Sequence, residues 1–146
     1  MVEDASLDRL NQCLETLHFA FRGLVAEPDS ILKSQGLSRI HHRLLFFIGR
    51  NPGLSVNELV ESMRLTKQAI HKPLKSLVEK DMVAVTRDAS DKRVKRLALT
   101  SQGVALESRL TGIQRELLTH AFDEVGEEGA EAWFRVMETM ARRLGV

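Results

Sequence analysis

The chain has one cysteine, one tryptophan, three prolines and no tyrosine in 146 residues. The lone thiol, Cys13, excludes an internal disulfide and suits a reducing compartment. Long apolar runs are missing too: the longest, over 44–48, has five residues, against roughly 20 for a membrane-crossing helix. The N-terminal Met-Val-Glu-Asp-Ala-Ser is acidic and lacks the basic and apolar regions of a signal peptide. A cytoplasmic location with no membrane partner is therefore expected. There is no internal repeat and no low-complexity stretch. No Ser/His/Asp grouping, metal-ligand pair or phosphate-binding glycine loop has a working spacing, so neither an enzyme nor a cofactor or metal is expected. What is present is ordinary for a globular protein: 43% hydrophobic residues, which argues against disorder, in a length that fits one domain with helical extensions.

Net charge is only +1, but it is unevenly placed. Residues 64–96 hold ten Lys/Arg against four Asp/Glu, a local balance of +6, and the remainder stands at −5. A basic centre between acidic ends suits one anionic partner surface. The plainer account is that these charges merely solvate a helix and a hairpin.

Apolar spacing divides the chain into elements. Leu7, Leu10, Leu14, Leu17 and Phe21 predict a first helix over about 6–26, ended by Pro28 and Asp29. A short turn or helix over 30–35 leads to Gly36. A second helix is predicted over about 38–50, with Ile40, Leu44, Leu45, Phe47 and Ile48 inward, and Asn51-Pro52-Gly53 stops it. Ser55 and Glu58 have the spacing of a capping box, opening a third helix with Val56, Leu59, Val60 and Met63 inward. Thr66 caps a fourth, with Ile70, Leu74, Leu77 and Val78 as its buried stripe. Strand-like runs at 82–87 and 94–99 flank the charged turn 88–93, with Val83 and Val85 sharing one face and Leu97 and Leu99 another. Thr100 caps a fifth helix carrying Leu106, Leu110, Ile113, Leu117 and Phe122. After a break flanked by Gly126 and Gly129, a sixth presents Trp133, Val136, Met137, Met140 and Leu144.

A short helix, a tight turn, a second helix and a basic hairpin make a mainly α fold with a small β-hairpin wing. The expected division is a winged helix-turn-helix over 36–100, with the helix-turn-helix at about 55–80 and the wing at 82–99. Residues 5–35 and 101–146 form a helical dimerisation region, because their near-heptad stripes suit packing between subunits. Terminal helices that pack on one another in a monomer are the alternative.

A helix of this width fits the major groove of DNA, and the second helix of such a pair turns its N-terminal half to base edges. Its first-turn amides also favour a phosphate. Thr66, Lys67, Gln68, His71 and Lys72 hold those positions, with Lys75 beyond them and Ser55 at the neighbouring helix start. Gln68 can pair with adenine; Lys67 or Lys72 can donate to guanine or to phosphate. Pro73 removes one backbone hydrogen bond and predicts a bend, which either tilts the reading face or has no role. Arg93, with Lys92, stands near the hairpin tip, where an arginine can enter a narrow minor groove, and Asp91 can aim it. Arg87 and Lys95 are expected to meet phosphates. A winged-helix module that binds protein without DNA is the competing function.

These segments resemble the MarR family of bacterial winged helix-turn-helix regulators. The carriers are Leu-Ser-Val-Asn-Glu-Leu (54–59), Leu-Thr-Lys-Gln-Ala-Ile-His (65–71) and Leu-Val-Glu-Lys-Asp-Met-Val (77–83). Most specific is Arg-Asp-Ala-Ser-Asp-Lys-Arg (87–93) followed by Leu-Ala-Leu-Thr-Ser-Gln-Gly (97–103), similar to the family's Asp-x-Arg wing and Leu-Thr-x-x-Gly exit. The resemblance covers nearly the whole chain. It implies a homodimer built from the first, fifth and sixth helices that binds a palindromic double-stranded operator, usually as a repressor. It also implies release by a small, often aromatic ligand in the crevice between the dimer and DNA-binding parts. Two positions depart from the pattern: Asp81, where a glycine is common before the wing, and Pro73.

Candidate lining residues for such an effector are His18, Phe21, Arg22, His41, His42 and Phe46, and Arg22 can pair with a carboxylate. The same aromatics serve equally as packing. Peroxide-sensing relatives support a first-helix cysteine with tyrosines; this chain has none, so Cys13 is expected to be structural and at least half-buried. His41 and His42 are adjacent and point about 100° apart on a helix. The fifth helix offers only His120 where metal-sensing relatives carry a pair, so zinc is not expected.

Overall fold

The computed structural model describes residues 2–146, with side-chain surroundings from residue 4. Four helices, α1 (Val2–Ser34), α2 (Arg39–Arg50), α3 (Val56–Met63) and α4 (Lys67–Glu79), precede a hairpin of β1 (Val83–Arg87) and β2 (Lys95–Leu99). Helix α5 (Ser101–Ala141) and a single 3-10 turn (Arg142–Leu144) complete the chain.

The core gathers around α2. Its Leu44, Leu45 and Ile48 meet Leu32 of α1, Leu59 of α3, Ile70 and Leu77 of α4, Val83 and Leu97 of the hairpin, and Leu106 and Leu110 of α5. Most of the expected inner positions are there, and three expectations need correction. Val78 is exposed because it lies about 100° around α4 from Leu77, beyond the edge of the stripe. Val85 is exposed because only the first residue of β1 lies over the core. Ile40 is half-buried and outside the core cluster, while Phe47 packs against that cluster as expected and His42 is buried on the inner side of α2.

Pro28 does not end α1, which continues through it to Ser34. A proline has no N–H to give the carbonyl four residues back. That carbonyl, on Leu24, instead accepts from the Gln114 side-chain amide of α5 at 3.3 Å. The Pro28 ring is itself fully buried. A tertiary partner thus replaces the missing hydrogen bond, and the segment expected to start afresh at residue 30 is the end of the same helix. At the other end, Gly126 leaves helical geometry (φ 75°, ψ 178°) and divides α5 into two limbs.

Local caps set the boundaries of the central unit. The Ser55 hydroxyl accepts from the Glu58 N–H at 3.1 Å, and Thr66 Oγ1 accepts from the Ala69 N–H at 3.1 Å. Only half of the expected capping box forms at Ser55, because the Glu58 carboxylate accepts from Arg96 instead. At the wing base, Asp81 adopts a left-handed backbone, φ 58°, which accounts for the glycine common at this position in the resembling family. The Asp81 carbonyl accepts from the Thr100 hydroxyl at 2.6 Å, and the Met82 carbonyl accepts from the Thr100 N–H at 3.0 Å. Gly103, one turn into α5, lies so close to the Met82 carbonyl that any Cβ would collide with it. The hairpin is antiparallel in the register Val83↔Leu99, Val85↔Leu97 and Arg87↔Lys95. The segment before α3 adds to its edge: Gly53 N–H donates to the Leu97 carbonyl at 2.8 Å, and Leu97 N–H to the Leu54 carbonyl at 2.9 Å.

The arms differ from this core. Every residue over 4–23 is exposed, including the apolar stripe Leu7, Leu10, Leu14, Leu17 and Phe21. Trp133, Val136, Met140 and Leu144 of the last limb are exposed as well. Cys13, expected at least half-buried, is exposed on this part of α1. Among the described residues, no helix is long and apolar enough to cross a membrane.

Candidate nucleic-acid interface

Helix α4 has its back in the core and its face in solvent. Ile70 and Leu77 anchor it. Lys67, Gln68, His71, Lys72 and Lys75 are all exposed, as is the capping Thr66. The cap leaves the first-turn amides of α4 at the surface among these side chains, which concentrates positive potential there. The helix runs unbroken through Pro73, which is half-buried. Ser55 is placed differently from the rest of the set. It is half-buried, and its hydroxyl is engaged in capping α3.

The wing tip is a built turn. Arg93 is 91% exposed at its side chain, and its guanidinium is held by Asp91: Nε donates to Oδ1 at 3.1 Å and Nη2 to Oδ2 at 3.2 Å. The Arg93 N–H also donates to Asp91 Oδ1 at 3.1 Å. The Arg93 side chain beside it, then the Arg93 amide, hold the Asp91 carboxyl below its usual range. The two-residue spacing thus pairs Asp91 with Arg93 at the tip. Arg87 Nη1 donates to the Lys92 carbonyl at 2.7 Å, bracing the turn from the strand. Lys92 and Lys95 are exposed.

The six residues singled out as effector candidates lie on α1 and α2, and five have partners within the chain. The Arg39 guanidinium lies over the Phe21 ring at 5.3 Å and the Arg50 guanidinium over Phe46 at 5.4 Å. His41 Nδ1 accepts from the Ser38 N–H at 3.0 Å and completes the start of α2. His42 Nε2 lies 3.0 Å from Thr111 Oγ1 of α5, a buried hydrogen bond. Burial lowers the pKa of both histidines. His18 and Arg22 are exposed on α1, with His18 edge-on to Phe19 at 5.1 Å.

Two connections escaped sequence reasoning. Arg39 Nε donates to Asp29 Oδ2 at 2.8 Å, tying α2 to the end of α1. Arg96, counted only as one of ten basic residues, reaches both the wing tip and α3. The alternation of β2 placed Arg96 on the face opposite Leu97, but spacing alone does not reveal what waits on that face.

The MarR family model matches residues 35–94, the span from the loop before α2 to the wing. The HTH-type transcriptional regulator PetP of Rhodobacter capsulatus is 35% identical over 133 residues, covering 91% of this chain and 80% of that protein. Among solved structures, Streptococcus pneumoniae FabT in complex with DNA superposes with a TM-score of 0.79 at 18% identity, covering 95% of this chain and 97% of FabT. The Staphylococcus aureus MepR–DNA complex superposes at 0.71 and 20% identity, covering 88% and 96%. The capped α3–α4 pair, the braced wing and the Thr100–Gly103 exit lie within a likeness that spans most of both chains, and the chain belongs to the MarR family of winged helix-turn-helix transcriptional regulators.

Proposed function

We propose that the protein is a homodimeric, sequence-specific DNA-binding repressor that lays α4 in the major groove and Arg93 of the wing in the adjacent minor groove. The observation that carries the reading is the two-sided build of α4: Ile70 and Leu77 fix its back, and Lys67, Gln68, His71, Lys72 and Lys75 stand free on its face. The aimed arginine 91% exposed on the wing supports it. So do the DNA complexes of FabT and MepR, whose folds this chain shares. In this reading residues 36–100 form the DNA-binding unit, and the exposed apolar stripes of α1 and the last limb of α5 bury one another across a two-fold axis. Two copies would then read a palindrome with half-sites about one helical turn apart. Release by a small aromatic acid is the regulatory half of the proposal. Phe21 beneath Arg39 and Phe46 beneath Arg50 support that ligand chemistry.

The test is a gel-shift titration with the DNA upstream of the chain's own coding sequence at several salt concentrations. Lys67→Ala with Arg93→Ala should weaken binding and flatten its salt slope, because two cations leave the anionic interface. A double variant with wild-type affinity and slope would remove both residues from the interface. Wild-type protein with no salt-dependent binding would return the module to a protein-binding role.

A further inference from the structure

The base of the wing is held by the buried Val83 and Leu97 and by the backbone pairing of β2 with the segment before α3. Beyond Val83 every residue of β1 is exposed, so core packing does not orient the outer half of the hairpin. A set of side-chain hydrogen bonds centred on Arg96 does. Arg96 Nε donates to Asp88 Oδ1 at 3.2 Å. Its Nη1 donates to Glu58 Oε1 and to the Gly53 carbonyl, each at 3.3 Å. Glu58 lies in the first turn of α3, Gly53 in the turn before it, and Asp88 opens the wing tip. One guanidinium fork thus spans three parts of the chain that are separate in sequence.

The contacts continue outward. Asp88 Oδ2 accepts from the Ser90 hydroxyl at 2.6 Å, the Asp91 N–H at 3.0 Å and the Ser90 N–H at 3.1 Å. These bonds fold the turn that brings Asp91 to Arg93. The Ser90 hydroxyl first, then the Asp91 amide and Arg96, hold the Asp88 carboxyl down to about 2, so it stays ionised across the physiological range. An unbroken path runs from α3 through Arg96 and Asp88 to Asp91 and Arg93.

We propose that Arg96 is a positioning residue: it sets the wing against the helix-turn-helix and governs DNA affinity through the placement of Arg93. The affinity part of this proposal rests on the DNA-binding reading; the placement part does not.

Two measurements on the full-length protein separate them. The first needs no DNA: amide exchange over 89–93 and trypsin cleavage after Lys92 and Arg93. Arg96→Gln should raise both rates roughly tenfold, as local opening of the tip becomes easier, while the thermal midpoint stays close to wild type. Arg96→Lys should behave like Arg96→Gln, because a single ammonium cannot bridge three acceptors in a fixed fork. If Arg96→Gln fails to fold, Asp88→Asn and Glu58→Gln release the two arms separately. Unchanged exchange and cleavage overturn the proposal. The second measurement is a double-mutant cycle on the promoter fragment. Arg96→Gln should weaken binding roughly tenfold, yet add no further loss in an Arg93→Ala background, because the two act as one unit. Fully additive losses would mean that Arg96 acts independently of Arg93, and would overturn it. Wild-type protein that binds no DNA would overturn the functional reading and the affinity part with it, and the exchange data would still decide whether Arg96 holds the wing.

Discussion

Leucine is used in opposite ways in two regions of this chain. In the central unit Leu32, Leu44, Leu45, Leu59, Leu77 and Leu110 are fully buried. In the arms Leu7, Leu10 and Leu14 are 58–64% exposed, and Leu144 is 68% exposed. The same residue type on the same helical spacing is inside in one region and outside in the other. An amphipathic stripe says only that a helix has a partner. The central helices find theirs within the chain, and the arms leave theirs uncovered, where the second copy we propose would bury them.

Truncation in the two regions should therefore be felt in different quantities. Leu45→Ala should cost about 2–5 kcal/mol of folding stability in urea melts, the range for a buried leucine that leaves a cavity. Leu14→Ala should leave the melt of dilute protein nearly unchanged and raise the dissociation constant of the proposed dimer in sedimentation across a concentration series. Equal loss in both melts would erase the distinction. The wing base offers the next largest effect. Gly103→Ala drives a Cβ into the Met82 carbonyl and should cost about 3 kcal/mol, as overpacking against backbone does. Gly112 and Gly23 have open space for a Cβ, so alanine there should be tolerated.

Smaller changes sharpen the same contrast. Asp81→Gly relieves a left-handed backbone at φ 58° and should stabilise the protein by about 0.5–1 kcal/mol, read as a higher thermal midpoint. The pH response should come from the junction and not from the arms. Burial lowers the His42 pKa below 6.5, helped by nearby Arg43 and opposed by Asp29, and burial lowers His41 too. The unfolded chain then takes up protons more readily than the folded one. Stability should be full above pH 6.5 and decline as pH falls through the lower folded values. His42→Gln should flatten that slope.

The readable parts of the fold were those whose cause is local. Ser55, Thr66 and Thr100 cap the helices they were expected to cap, because a hydroxyl three residues before an amide needs no distant partner. The two hairpin strands and the Asp91–Arg93 pair were legible for the same reason. The candidate residues on α4 are exposed where a 3.6-residue period put them. Pro28 misled because its missing hydrogen bond is replaced by Gln114, 90 residues away. Arg96 passed for one more basic residue because its three acceptors lie on three different segments. Cys13 was placed inside because a stripe between Leu10 and Leu14 looks the same whether or not anything covers it.

The order of residues by itself determined where α3, α4 and α5 start, which face of each helix is apolar and which stretch is basic. These follow from backbone hydrogen bonding and side-chain periodicity within a few residues. Only the tertiary structure decided that α1 continues through a proline, that Glu58 turns from its cap to Arg96, and which apolar faces stay bare. Those outcomes depend on groups far apart in sequence reaching hydrogen-bond or van der Waals distance, and no local pattern encodes a distance in space.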